Sequence, residues 1–379
     1  MKPDLHVGLL NTSAVRTPFA QSVRLQRMGG VRICTTKQDY LAWDRFLYHF
    51  SGAHFFQTYG WLQSYEPMGL TPHLLVYEQD GAITGGVAFL SAKIPLIPFR
   101  IFIIPHGPLP ANPDWPGWLP LMQRLDEICQ QGRAVYAQVY PHEASSQQVL
   151  LPRLETMGFT SPALFTAHEF STQPVTVELV GKSEAEVLAS LRERTRTYIR
   201  RALNSKLELR TELNDLTFDR IYRLFEDHGE SRGFRPRPYA SLRSAWEWFS
   251  QRHGASLIQA WHGDTLVGAN LLIFTGRTAY YIHGAVHRGF AEERPAEFLH
   301  WHSIRTAIQL QLDKYDLVNL GPPGVEQFKR GFRPHNHSWH APRTKIYRPS
   351  LAKIISGADQ YFRPLLRGLG RFRAKVANF

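Results

Sequence analysis

Apolar and polar residues alternate with a two-residue period at two widely separated places in this 379-residue chain. Leu74–Leu90 (LLVYEQDGAITGGVAFL) reads as a strand, a tight turn at Asp80–Gly81 and a second strand, because strand side chains face opposite ways in turn and Asp-Gly favours a two-residue turn. Leu257–Ile273 (LIQAWHGDTLVGANLLI) repeats the arrangement at the same length around Gly263–Asp264, and Gly85 meets Gly268 when the two are aligned without a gap. Each hairpin follows an aromatic helical stretch, YGWLQSYEPMG or SAWEWFSQRHG, and precedes a strand, RIFIIPHG or TAYYIHGAV. An amphipathic helix comes next (LPLMQRLDEICQQ, FLHWHSIRTAIQLQL), then a strand ending at proline (AVYAQVYP, YDLVNLGP). A matched series at this distance means a duplicated domain, since a solenoid's period is far shorter. The ββ-β-α-β order predicts an α/β (α+β) fold: in each half a mixed, mostly antiparallel sheet flanked by helices.

Structure is expected to begin at Val31, with VRICTT as a strand and a helix over Asp39–Phe50. The chain then divides into a poorly ordered leader (1–30), a first unit (31–170), a second unit carrying the chemistry (171–349) and a basic amphipathic C-terminal helix (350–379).

The second unit opens with the strand Val175–Val180 and a capping box, Ser183 followed by Glu186. Leu188, Leu191, Thr195, Ile199 and Ala202 form an inward stripe at helical spacing, which predicts one continuous helix. On it Arg192, Arg196 and Arg200 make an outward ridge, with Arg194 and Tyr198 four apart on another side. Crowded like charges repel, so the ridge points either to solvent or to an anion, and arginine's planar fork suits phosphate.

Charge strengthens the second reading. The formal net charge is +12, which favours a polyanionic partner. Cys34 and Cys129 are the only cysteines, too few for a disulfide framework or a zinc ribbon, and reduced thiols fit a cytoplasmic location. No run of apolar residues is long enough to span a membrane.

In order along the chain, FFQTYGWLQSY, PHGPL, RTRTYIRRA, YYIHGAV, YDLVNLG and GVEQFKRGF resemble the FemABX group of peptidoglycan interpeptide-bridge aminoacyltransferases. The resemblance covers roughly Val31 to Pro349, and its most specific piece is Phe-Lys-x-x-Phe (Phe328, Lys329, Phe332). It implies two tandem GNAT-like domains and an enzyme, a monomer, that moves an amino acid from aminoacyl-tRNA to an amine on a nucleotide- or lipid-linked peptidoglycan precursor. Aminoacyl-tRNA is then a co-substrate and no separate cofactor is expected. Lys329 becomes the cation at the reacting carbonyl or the tRNA end, with Phe328 beside it to stack a terminal base. The Arg194–Tyr198 pair implies a grip on the precursor's phosphates, supported by Arg196 and Arg200. Tyr281 lies in the substrate cleft by resemblance, and strand alternation puts His283 on its face. Asp316 is a candidate to orient the site or to accept the amine's proton, against the ordinary role of a strand-end cap.

Two departures stand out. Tyr65 occupies the position of the family's precursor-binding lysine and offers a hydrogen bond without charge. No heptad-patterned insertion interrupts the second half, so a coiled-coil arm is not expected.

An alternative is a GNAT-like N-acyltransferase using acyl-CoA or a carrier-bound acyl group on an envelope sugar or polymer amine. The loops HGPLPANPDWPG and HRGFAEERPAE, however, lack the glycine-rich pyrophosphate pattern that acyl-CoA would call for. His335, His337 and His340 fit no zinc spacing, so no metal is expected. The tail carries Lys353, Arg363, Arg367, Arg371, Arg373 and Lys375 opposite Leu365, Leu366, Leu369 and Phe372. It suits either packing on the body or a peripheral contact with an anionic inner membrane face.

Overall fold

A computed structural model describes residues 29–355, apart from 111, 113, 142–143, 163–169, 171–173, 213 and 337–340. The leader as far as residue 28, the tail from residue 356, and His337 and His340 lie outside the described residues.

In chain order the first half holds β1 (Gly30–Cys34), α1 (Lys37–His49), α2 (Tyr59–Leu62), β2 (Leu70–Gln79), β3 (Ala82–Lys93), β4 (Arg100–Pro105), α3 (Trp118–Gln131), β5 (Ala134–Tyr140), α4 (Ala144–Thr156) and β6 (Ser161–Pro162). There follow β7 (Val175–Glu178), α5 (Glu184–Ser190), α6 (Glu193–Leu203), β8 (Glu208–Arg210), α7 (Asp215–Arg232), α8 (Tyr239–Ser250), β9 (Ala255–His262) and β10 (Thr265–Thr275). The second half closes with β11 (Thr278–Val286), α9 (Pro295–Gln309), β12 (Lys314–Asp316), α10 (Pro323–Lys329), β13 (His335–Asn336) and β14 (Arg343–Ile346).

The strands form two sheets of seven, ordered β1-β2-β3-β4-β5-β14-β6 and β8-β9-β10-β11-β12-β7-β13. Strand for strand the two orders match, and β4·β5 and β11·β12 are the parallel pair in each. The duplication reaches fine detail. A β-bulge precedes Gly85 in the first hairpin and another precedes Gly268 in the second, at the positions the ungapped alignment superposes. A bulge bends and twists a strand, so it marks shared architecture and not merely shared polarity.

By its place in the repeated order, the seventh strand of each set of seven pairs within the other set's sheet. β7, which comes after β6 in the chain, pairs with β12 and β13, while β14, which comes after β13, pairs with β5 and β6. Arg343–Ile346, assigned from sequence to the second unit, thus belongs to the first sheet. Strand periodicity says which residues alternate but not which sheet they join. Thr344 is fully buried there and donates to Gln138 Oε1 at 3.2 Å. Lys345 Nζ and the Tyr347 hydroxyl both reach Asp126 Oδ1 on α3, at 2.6 and 2.5 Å.

The halves also meet through polar contacts set in an aromatic core. Asp44 on α1 accepts from the Tyr59 and Gly60 amides at 2.7 and 3.0 Å and from Trp248 Nε1 on α8 at 2.8 Å. A Cβ at Gly60 would sit 2.0 Å from the Trp248 ring, so only glycine fits. The Tyr280 hydroxyl donates to the Ala53 carbonyl at 3.1 Å, and Ser241 Oγ to the Ser64 carbonyl at 2.5 Å.

The helix expected from Ser183 onward is two helices. The capping box is present, but Leu191 and Arg192 are extended and separate α5 from α6. The Arg192 amide is held by the Gly331 carbonyl at 3.0 Å, and Arg196 turns back to the Ala189 and Leu191 carbonyls at 3.2 and 2.6 Å. Tertiary contacts thus finish α5 where periodicity alone would continue it.

Candidate active site

The site grows from the point where β11 and β12 part. Their parallel pairing covers three positions, from Thr278–Lys314 to Tyr280–Asp316, after which β11 continues with β10 alone as its partner. Backbone groups beyond such a split need new partners. Asp316, 3% exposed, supplies two: its Oδ1 accepts from the Val175 amide at 3.1 Å and the Val318 amide at 2.7 Å. The chain then makes a γ-turn, with the Asn319 amide donating to the Leu317 carbonyl at 2.8 Å and Val318 at φ 66°. A β-branched residue there is strained and persists only because its surroundings hold it.

Lys329 is what holds it. Carried inward on the last turn of α10, it is 5% exposed, and Nζ donates to the Leu317 and Asn319 carbonyls at 2.9 and 2.6 Å. The same ammonium lies 5.3 Å from the centre of the Tyr281 ring. Burial lowers its pKa to about 8, with the Asp316 charge partly opposing. An ammonium has three donors and two are used, which leaves one N–H for an incoming oxygen. Asp316, for its part, orients the turn in the manner of a cap.

An aromatic wall completes the centre. His300, on α9, places its ring 4.6 Å from Tyr281, 5.2 Å from Phe328 and 5.4 Å from Phe332, and its Nδ1 is 2.7 Å from the Tyr315 hydroxyl. Burial, aided by the Lys329 charge, pushes His300 down to about 3, so this imidazole is neutral. Burial likewise raises the Tyr281 hydroxyl above its ordinary value. Phe328 is half-buried, and Phe332 is fully buried as an anchor.

A second cluster caps the N-terminus of the same helix. Arg194 Nε donates to the Tyr198 hydroxyl at 2.9 Å, as their four-residue spacing allows. Arg294, the N-cap of α9, lays its guanidinium 4.1 Å from the centre of the Tyr198 ring, and its buried Nε has no hydrogen-bond partner. The Arg294 side chain makes no cap bond to the α9 amides, and a helix N-terminus attracts anions. Glu297, 8% exposed, sits one turn on; burial raises its pKa, and Arg294 and Arg194 partly offset that.

Three expected site residues lie elsewhere. His283 is not on the face of Tyr281: the register slips between Leu271 and Leu272, making Ile282 an extra residue that turns His283 to the opposite side. There its ring packs edge-on to Phe225 of α7 at 4.3 Å, Nε2 is buried without a partner, and burial lowers its pKa to about 4. Tyr65 is 1% exposed inside the first-half core, against Trp61, Phe170 and the Arg237 guanidinium, so it cannot face a ligand as it stands. Arg196 is spent on the Ala189 and Leu191 carbonyls, which breaks the ridge; Arg200 remains exposed.

Arg294, Glu297 and His300 were missed by sequence reasoning. Pro295 marks a helix start at its N1 position, a signal that makes Arg294 findable. His300 resembled one more polar residue on an amphipathic helix.

Comparison with known proteins agrees with this architecture. Residues 189–330 match a family model described as an acetyltransferase (GNAT) domain. A crystal structure of FemX is similar with a TM-score of 0.73 at 15% identity, covering 86% of this chain and 100% of that one. A Bacteroides thetaiotaomicron protein of unknown function is similar at TM-score 0.52 and 12% identity, covering 81% of this chain and 95% of that one. A search of curated proteins gave no match. The chain thus shares the fold of FemX, and the resemblance read from its motifs extends to three dimensions.

Proposed function

We propose that this chain is an acyltransferase that moves an aminoacyl group from aminoacyl-tRNA to an amine on the stem peptide of a peptidoglycan precursor. The observation that carries this reading is helix α9, which links two charged features. Arg294 and Arg194 flank Tyr198 at its N-terminus, and His300, six residues on, touches the ring of Tyr281 beside Lys329. Six residues of helix span roughly 9 Å, a separation that suits a substrate gripped by phosphate at one end and reacting at the other.

The chemistry asks little else. A neutral amine attacks the ester carbonyl, the carbon–oxygen bond to the ribose breaks, and the ribose oxygen takes up the proton that the amine gives up. Charge collects on the carbonyl oxygen meanwhile. The free N–H of Lys329 is placed to meet such charge in a site lined by aromatic rings, where water screens it little. Phe328, half-buried beside it, offers an edge to a terminal base.

A second reading has one observation in its favour. The family model matched is described as an acetyltransferase, and two arginines at a helix N-terminus also suit the pyrophosphate of acyl-CoA. Purified protein given charged tRNA or acyl-CoA, each with stem-peptide amines, separates the two. Donor consumption is expected with charged tRNA alone; consumption of acyl-CoA alone would transfer the assignment to the second reading. Comparing muropeptides of cells with and without the gene then tests the acceptor.

A further inference from the structure

The turn between β3 and β4 breaks the rule that large apolar side chains stay inside. In Ile94-Pro-Leu-Ile-Pro-Phe99, Leu96 is fully exposed at 104% and Ile97 is 36% exposed. Leu96 also has φ 69°, a conformation leucine rarely takes, and the prolines on either side, Pro95 and Pro98, stiffen it. The turn is anchored below: the Ile94 amide donates to the Phe99 carbonyl at 3.0 Å, and the Arg348 guanidinium lies 4.8 Å from the centre of the Phe99 ring. A stiff, anchored loop that holds leucine out in water calls for something apolar to receive it.

The surroundings say what. Ile94 and Phe99 share a small apolar cluster with Ile346, Leu351 and Ile355, so three segments converge beneath the tip. Residues 91–105, 132–141 and 343–355 carry Lys93, Arg100, Arg133, Arg343, Lys345, Arg348 and Lys353 and no Asp or Glu of their own, though Asp126 of α3 neutralises Lys345. Helical residues 349–355 end within this cluster, with Ile354 exposed at 65%. An apolar point on a cation-rich base matches an anionic lipid surface, where headgroups meet the cations and the acyl boundary meets the leucine.

We propose that the β3–β4 tip is a membrane-docking element that seats Leu96 and Ile97 in the interfacial layer of an anionic bilayer. This surface is separate from the acyl-transfer site, and docking needs no turnover, so either reading can fail without the other.

The test uses the full chain and vesicles of phosphatidylglycerol with phosphatidylcholine, against phosphatidylcholine alone. Sedimentation is expected to show at least tenfold tighter association with the anionic vesicles, weakening as salt rises. Leu96→Asp with Ile97→Asp should remove most of it while the circular dichroism spectrum stays that of the parent. Undiminished binding by that variant would overturn the proposal, leaving the C-terminal tail as the membrane contact. So would a concentration-dependent dimer that the variant abolishes, since the tip would then cover a second copy.

A label supplies the positive readout. Cys34 and Cys129 are buried, so Leu96→Cys can carry an environment-sensitive fluorophore, with Asp264→Cys on the β9–β10 turn as control. A blue shift on anionic vesicles at residue 96 and none at 264 supports insertion of the tip. A shift at both, or at neither, counts against it.

Discussion

The two sheets share one strand order and differ where their parallel strands end. In the first, β4 and β5 stay paired through six positions to Pro105 and Tyr140, and the His106 amide adds a bond to the Tyr140 carbonyl at 2.8 Å. Beyond that point the space is filled core: the His106 ring stacks on His54 at 4.0 Å and packs on Phe56 at 5.2 Å. In the second, β11 and β12 part after three pairs. The wedge so opened holds a strained γ-turn at Val318, a buried ammonium and a half-buried tyrosine. Duplication supplied two copies of a scaffold; stopping the pairing early in one of them left backbone groups that Lys329 and Asp316 help to satisfy. A site of this kind is an interrupted sheet whose loose ends have been tied by side chains.

The hardest blow to that contrast is Lys329→Met. It removes the cation and its bonds to the Leu317 and Asn319 carbonyls, so transfer should fall by about 10²–10³ and stability by about 1–3 kcal/mol. A donor-consumption assay with thermal denaturation reads both. Wild-type turnover in the variant would reduce Lys329 to scaffolding and the wedge to an accident of packing.

Next in size is Gly60→Ala, which leaves both sheets intact and strikes the seam between them. The added carbon meets Trp248, and relief by shifting costs about 1–3 kcal/mol. Chemical denaturation should show a lower midpoint, whereas Gly81→Ala, in open space on a hairpin turn, tests the cost of positive φ by itself.

The third test is pH. Lys329 has a folded pKa of about 8, below its unfolded value of roughly 10.4. If its cation is needed, transfer should fall as pH rises through 8, about tenfold per unit once well above it. Over the same range the folded state binds fewer protons than the unfolded, so this group's contribution to stability rises. Falling activity with undiminished stability separates titration of the site from alkaline unfolding.

The smallest effect concerns the exchanged strand. Burial pushes the Asp126 carboxyl up, but bonds from Lys345 and Tyr347 hold it below its ordinary value. Its contribution is therefore present above the usual carboxylate range and lost on acidification through the lowered pKa. Asp126→Asn should cost about 1 kcal/mol at neutral pH, and the gap from wild type should close in acid. A constant gap at every pH would mean that packing, not charge, fastens β14.

How far sequence reading succeeded depends on the range of each interaction. The hairpins, their turns and the duplication rest on residues one to four apart, and the chain states them outright, down to Gly85 and Gly268. The Arg194–Tyr198 bond and the Ser183–Glu186 box are equally local, as is the burial of Thr195, Ile199 and Ala202. Lys329 and Phe328 were found because resemblance named them. The burial of Tyr65 was invisible, since neighbours such as Phe170 and Arg237 lie far along the chain.

By itself, then, the sequence determined the two sheets and the helices that cover them. Only the tertiary structure decided that β7 and β14 trade places, that one bulged residue turns His283 away from Tyr281, and that the Lys329 ammonium faces two carbonyls of a strained turn. The reason is physical. Periodicity encodes which side of an element is apolar, but register and partner are settled by contacts between segments distant along the chain, and a shift of one residue reverses every side chain beyond it.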